Sequence, residues 1–176
     1  QNNTKNAVSF WFISELCASL TKPANQHFLI DNKYMTTKDI IEELNQMTII
    51  DSEDYEPLER IDELTDFLKQ NEDGHLGCDT MINLLERHPQ VEFGTPGQPI
   101  HLLESYSGHY EELLMASLDR QPTVMTIWML NRIINAENGS NRDKLIDKMK
   151  SYMTHPLADE QAKDTAKDFY TYQTTE

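Results

Sequence analysis

Positive charge is scarce in this chain. Lys and Arg together number 15 against 30 Asp and Glu, which leaves a net charge of −15. A phosphate backbone is gripped by cations, so nucleic acid is not an expected partner. Cysteine is scarcer still, with only Cys17 and Cys78. Two thiols in 176 residues make no disulfide framework. Both are expected as buried free thiols in a reducing compartment. No apolar run approaches the length of a membrane span. The first residues lack a basic run and an A-x-A site, and Glu15 interrupts their apolar part, so no signal peptide is expected. A cytoplasmic location follows as the expectation.

Other absences concern chemistry. There is no His-Glu-x-x-His, no Cys-x-x-Cys, no phosphate loop, no nucleophile elbow and no dinucleotide fingerprint. The lone Glu-x-x-His match, Glu72 to His75, falls in a Gly-containing break. A di-iron bundle needs two such pairs on helices. No metal, no cofactor and no enzymatic activity are therefore expected. Alternating β-branched stretches are missing as well, which excludes a sheet.

What is present is helical periodicity. The strongest stretch is 121–136, with Val124, Met125, Ile127, Trp128, Met129, Leu130, Ile133 and Ile134 covering most of its surface. A helix apolar nearly all round belongs among other helices. Pro122 suits its first position, and Asn138-Gly139 supplies a left-handed stop. Before it, helices are predicted at about 5–20, 37–47, 57–70 and 78–88. Two shorter ones follow the Pro-Gly loop 89–99, around Leu102 and around Leu114. Ser140 to Asp143 resembles a capping box for the next helix, and a last one covers about 158–171. A short apolar piece, His27 to Ile30, has no assigned type. The fold predicted is all-α, eight or nine helices in a single solenoid-like, HEAT-like stack. One domain spans 1–176, with 1–4 and 172–176 expected to fray.

Charge is concentrated in one place. Between Asp39 and Asp73 lie 13 acids against only Arg60 and Lys69. A run of this kind is ordinarily a solvated helix face. It can also dock a basic protein, with carboxylates standing where phosphates would. On that reading the partner-binding residues are Asp51, Glu53, Asp54, Glu56, Glu59, Asp62, Glu63 and Asp66, with Tyr55 as an aromatic anchor. Secondary candidates lie elsewhere. His101 and Glu104, one turn apart, could form an acid/base pair with His109 nearby, although His101 more simply bonds the backbone of the Pro-Gly loop. Asn131, Arg132 and Asn135 form the one polar stripe on the central helix. They either bond neighbouring elements or line a binding surface.

The second half of the chain carries a resemblance. Its residues are Val91-Glu92-Phe93-Gly94-Thr95-Pro96-Gly97-Gln98-Pro99-Ile100-His101-Leu102-Leu103-Glu104, then Tyr110-Glu111-Glu112-Leu113-Leu114, then the stretch from Arg120 to Asn135 with Pro122-Thr123 and Trp128-Met129-Leu130-Asn131-Arg132. These resemble α-helical immunity proteins of bacterial polymorphic and contact-dependent growth inhibition toxin systems. The resemblance implies a cytoplasmic inhibitor, not an enzyme, that binds a cognate toxin domain. The acidic surface points to a basic nuclease, RNase-like, as that toxin, met by a monomer. A small enzyme at the Pro-Gly loop and a general helical-repeat scaffold that binds another protein are the alternatives.

Overall fold

A computed structural model describes residues 34–175. The predicted helix at 5–20, Cys17 and the apolar piece 27–30 lie outside the described residues. Among the described residues the fold is all-α, with eight helices and no strand. They are α1 (Thr37–Gln46), α2 (Tyr55–Gln70), α3 (Cys78–Arg87), α4 (Gly97–Ser105), α5 (Glu111–Arg120), α6 (Val124–Ala136), α7 (Gly139–Tyr152) and α8 (Glu160–Thr175). A short 3-10 turn, Gly74–Gly77, joins α2 to α3.

Each helix buries the stripe that its periodicity announces. In α1 it is Ile40 and Leu44, and in α2 Ile61, Leu64 and Leu68. α3 contributes Met81, Ile82, Leu84 and Leu85, and α6 contributes Ile127, Leu130 and Ile134. One continuous core results, reaching from Ile40 to Ala166. α1 lies against α2 and α3, α2 against α4, and α3 against α5. α6 then contacts α5, α7 and α8, and α7 packs along α8.

Helix ends depart from expectation where local chemistry has two solutions. α1 starts with a capping box, the Thr36 hydroxyl accepting from the Asp39 amide at 3.2 Å. α2 begins two residues before Pro57, which sits in the first turn where its missing N–H costs nothing. Pro122, expected at the first position of α6, lies one residue before its cap, which is Thr123 paired reciprocally with Thr126. The expected stop at Asn138-Gly139 is instead the start of α7, where Gly139 takes φ 61°. The box expected at Ser140 to Asp143 falls inside that helix, and no side-chain cap bond forms at its N-terminus. α8 extends past the expected end near 171 to Thr175.

Candidate functional site

Three places carry the candidate residues: the acidic face of α2, the junction of α4 with α6, and the hollows on either side of the 89–99 loop.

The acidic face follows from the burial of α2. Ile61, Leu64 and Leu68 turn inward. Tyr55, Glu59, Asp62 and Asp66 then recur at helical spacing on an exposed stripe. Asp51, Glu53 and Asp54 precede it on the connector from α1. Two of these shape the connector itself. The Asp51 carboxylate accepts from the Glu53 amide at 2.8 Å, and Asp54 accepts from the Ile50 amide at 3.1 Å. The two cations of the span are already occupied. Arg60 donates to Glu43 at 2.6 and 3.0 Å and to Glu63 at 2.7 Å. Those bonds hold the Glu43 carboxyl below its ordinary range, against the opposing effect of burial. Lys69 donates to Asp66 at 3.4 Å and to Gln98 at 2.9 Å.

What remains is negative. The side-chain carboxylates of Glu53, Glu56, Glu59 and Asp62 have no hydrogen-bond or ion-pair partner among the described residues. Asp62 has its carboxyl pushed above the usual range, by partial burial first and then by Asp66 and Glu59, with Lys69 offsetting part of the rise. Like charges three and four residues apart on a helix are unfavourable. The face therefore holds repulsion that an approaching cation would relieve. Tyr55 is 68% exposed and Ile50 83%, so two large apolar side chains stand in the middle of the acids.

At the second place the structure separates residues that the sequence pairs. Glu104 binds Arg132, not His101. Its two oxygens accept from Arg132 Nε and from Arg132 Nη2, the latter at 2.8 Å. The guanidinium also lies over the Trp128 ring, 4.9 Å from its centroid. The His101 side chain is exposed and makes no hydrogen bond among the described residues, so the expected bond to the loop backbone is not formed. His109 stacks on His75 instead, with centroids 4.4 Å apart.

The polar stripe on α6 splits by role. Asn131 and Asn135 both accept from the Gln173 side-chain amide, at 2.7 and 2.6 Å. The Gln173 oxygen accepts from Arg142 at 2.7 Å. This buried knot clamps the end of α8 onto α6 and α7. Gln173 is only 5% exposed.

The hollows are the part that sequence reasoning missed. Gly94 (φ 102°) and Gly97 (φ 73°) turn the chain tightly, and a Cβ at Gly94 would come within 2.9 Å of the Gly97 Cα. The Thr95–Pro96 peptide between them is cis. On one side of the resulting loop is a cavity of about 240 Å³ with Pro89, Pro96, Val124, Met125 and Trp128 in its walls. On the other is one of about 260 Å³, walled by Tyr55, Leu58, Phe93 and Pro99 with the acids Asp62 and Glu92. Glu92 lines both. Trp128, expected in the core, packs against it but keeps part of its surface exposed and forms a cavity wall. The signal available in the sequence was the pairing of a Pro-Gly loop with an aromatic on an otherwise core helix.

Among the described residues no group of three His, Cys, Asp or Glu side chains could hold a metal ion. None of their helices is long and apolar enough to cross a membrane. Cys78 is buried, and its thiol is pushed up to about 11 by burial and then by Glu111. No family model, no curated protein and no solved structure matches this chain.

Proposed function

We propose that this is a helical protein-binding module that docks a basic partner on the acidic face of α2. One observation carries the reading. Among the described residues the carboxylates of Glu53, Glu56, Glu59 and Asp62 form no ion pair, while the span's Arg60 and Lys69 are bonded to other side chains. Complementary charge speeds encounter and excludes wrong partners, and exposed apolar side chains among the acids supply contact area. Neighbours two apart along the chain, α1 with α3, α2 with α4, α3 with α5 and α6 with α8, support a stacked, solenoid-like arrangement for the module. Such stacks offer broad surfaces to proteins.

The narrower form of the proposal is toxin neutralisation. The segments 91–104 and 120–135 resemble immunity proteins, and the Glu104–Arg132 pair joins those two segments. On this form the partner is a basic nuclease domain, covered in the cytoplasm by a monomer of this chain. The matched segments then serve as scaffold, and the acidic half grips.

Co-expression with the polypeptide encoded immediately upstream tests both forms. A stable complex, weakened at least about tenfold when Glu56, Glu59 and Asp62 are all changed to Lys, is the expected result, since close charge pairs across interfaces are worth more than about 1.4 kcal/mol together. An upstream product that is neither basic nor bound removes the immunity form. Undiminished binding by the triple variant removes the acidic face from the account. The enzyme alternative is not favoured by the geometry around His101, because its partner carboxylate is committed to Arg132.

A further inference from the structure

We infer that the two hollows flanking the 89–99 loop form one bipartite docking site, which takes a cationic side chain and a neighbouring apolar side chain from the same exposed segment of a basic protein. The inference rests on the acidic-face reading and narrows what that face selects.

The first hollow has the makings of a cation pocket. Tyr55, Leu58, Phe93 and Pro99 give it apolar walls suited to the aliphatic stem of an arginine or lysine. Asp62 and Glu92 give it two carboxylates. Both acids are exposed, and neither has a hydrogen-bond or ion-pair partner for its side chain among the described residues. They come from two different elements that line one cavity, Asp62 from α2 and Glu92 from the loop. A planar guanidinium between them can donate to both at once. The wall is braced rather than loose, because the Glu92 amide donates to the Ser52 hydroxyl at 2.8 Å across the α1–α2 connector.

The second hollow differs in chemistry. Val124, Met125, Trp128, Pro89 and Pro96 present an apolar surface, and the Arg132 guanidinium lies over the Trp128 ring. The Arg132 charge is already met by Glu104, so it does not repel a cation bound next door. Glu92 stands between the two hollows and lines both. A segment that seats its cation beside Glu92 therefore has an apolar receptor within its next few residues. Charge alone would select any basic surface. The second hollow selects a basic surface with an apolar residue beside the cation.

The test is a titration of the full-length, 15N-labelled chain with millimolar acetylated peptides holding Arg and Leu separated by one, two or three glycines. Amide shifts at Ser52, Tyr55, Asp62 and Phe93 together with Val124 and Trp128 are expected for at least one spacing. Replacing the peptide's Arg by Gln should abolish the first set, and replacing Leu by Gly the second. Glu92→Gln, at an exposed position, should weaken that peptide by about 1.4-fold to fivefold, the range for one exposed charge pair. Shifts spread along the α2 acids and indifferent to Leu would overturn the bipartite site while leaving the acidic-face reading intact. No shift with any peptide would overturn both.

Discussion

Gly74 shows how one side chain's absence sets a packing distance. Its φ is not left-handed, yet a Cβ there would collide with the Leu68 carbonyl and with the Tyr106 hydroxyl. Those two groups bond each other at 2.7 Å, tying the end of α2 to the end of α4. The obstruction is partly backbone, which cannot rotate away. Gly74→Ala should therefore cost about 3 kcal/mol or more, at the upper end of overpacking effects. A urea midpoint unchanged from the parent would contradict this. Trp128 goes the other way. Read from the sequence as core, its truncation would cost about 3–5 kcal/mol, the range for a buried aromatic. Partly buried beside a cavity, Trp128→Ala should fall toward the lower end of that range, about 3 kcal/mol, because part of the ring is already exposed. Periodicity identified Trp128 as apolar and inward-tending. It gave no sign that a cavity lies between the ring and the loop opposite, since that loop's course turns on two positive-φ glycines, Gly94 and Gly97, far from Trp128 in the chain.

At the scale of elements, the helices were largely legible and their ends were not. The i, i+3, i+4 spacing of Ile61, Leu64 and Leu68, or of Met81, Ile82 and Leu85, dictates which face is buried whatever the neighbours are. Ends depend on side-chain bonds with competing choices, as when Thr123 rather than Pro122 opens α6. The reach of α8 was hidden for another reason. Tyr-Gln-Thr-Thr reads as a polar tail unless Asn131, Asn135 and Arg142 converge on Gln173. Gln173→Ala should leave Asn131 buried without that donor, costing about 1–3 kcal/mol. Faster hydrogen exchange confined to the last turns of α8 is the expected signature. Acid should loosen the start of α5. Glu111 is raised by burial but lowered more by bonds from the Gly108 amide at 2.8 and 3.0 Å and from Ser107, so its carboxyl titrates below the ordinary 4.5. A depressed folded value means that its stabilisation is present above the unfolded value and is lost as pH falls through the folded one. Between about pH 5 and pH 3, the parent should lose more stability than Glu111→Gln. Equal losses would remove Glu111 from the acid response.

For the whole molecule, charge is the organising fact. A net −15 with 13 acids between Asp39 and Asp73 makes the surface repel itself. Added salt should raise the melting temperature of the free chain at low ionic strength and weaken its complex with a basic partner, because screening acts oppositely on the two. The acidic face itself could be read from the sequence as a span. Which of its members stay open could not, since Arg60 reaches Glu43 from the next helix and Lys69 reaches Gln98 across 29 residues. The link between the loop hollows and this face was likewise invisible, because Glu92 and Asp62 meet only in the fold.

The most direct measurement is hydrogen exchange on the chain alone and in complex with the basic polypeptide encoded upstream. The account predicts protection concentrated in residues 51–66 and in the 89–99 loop. Protection elsewhere, with 51–66 exchanging as freely as in the unbound chain, would contradict it.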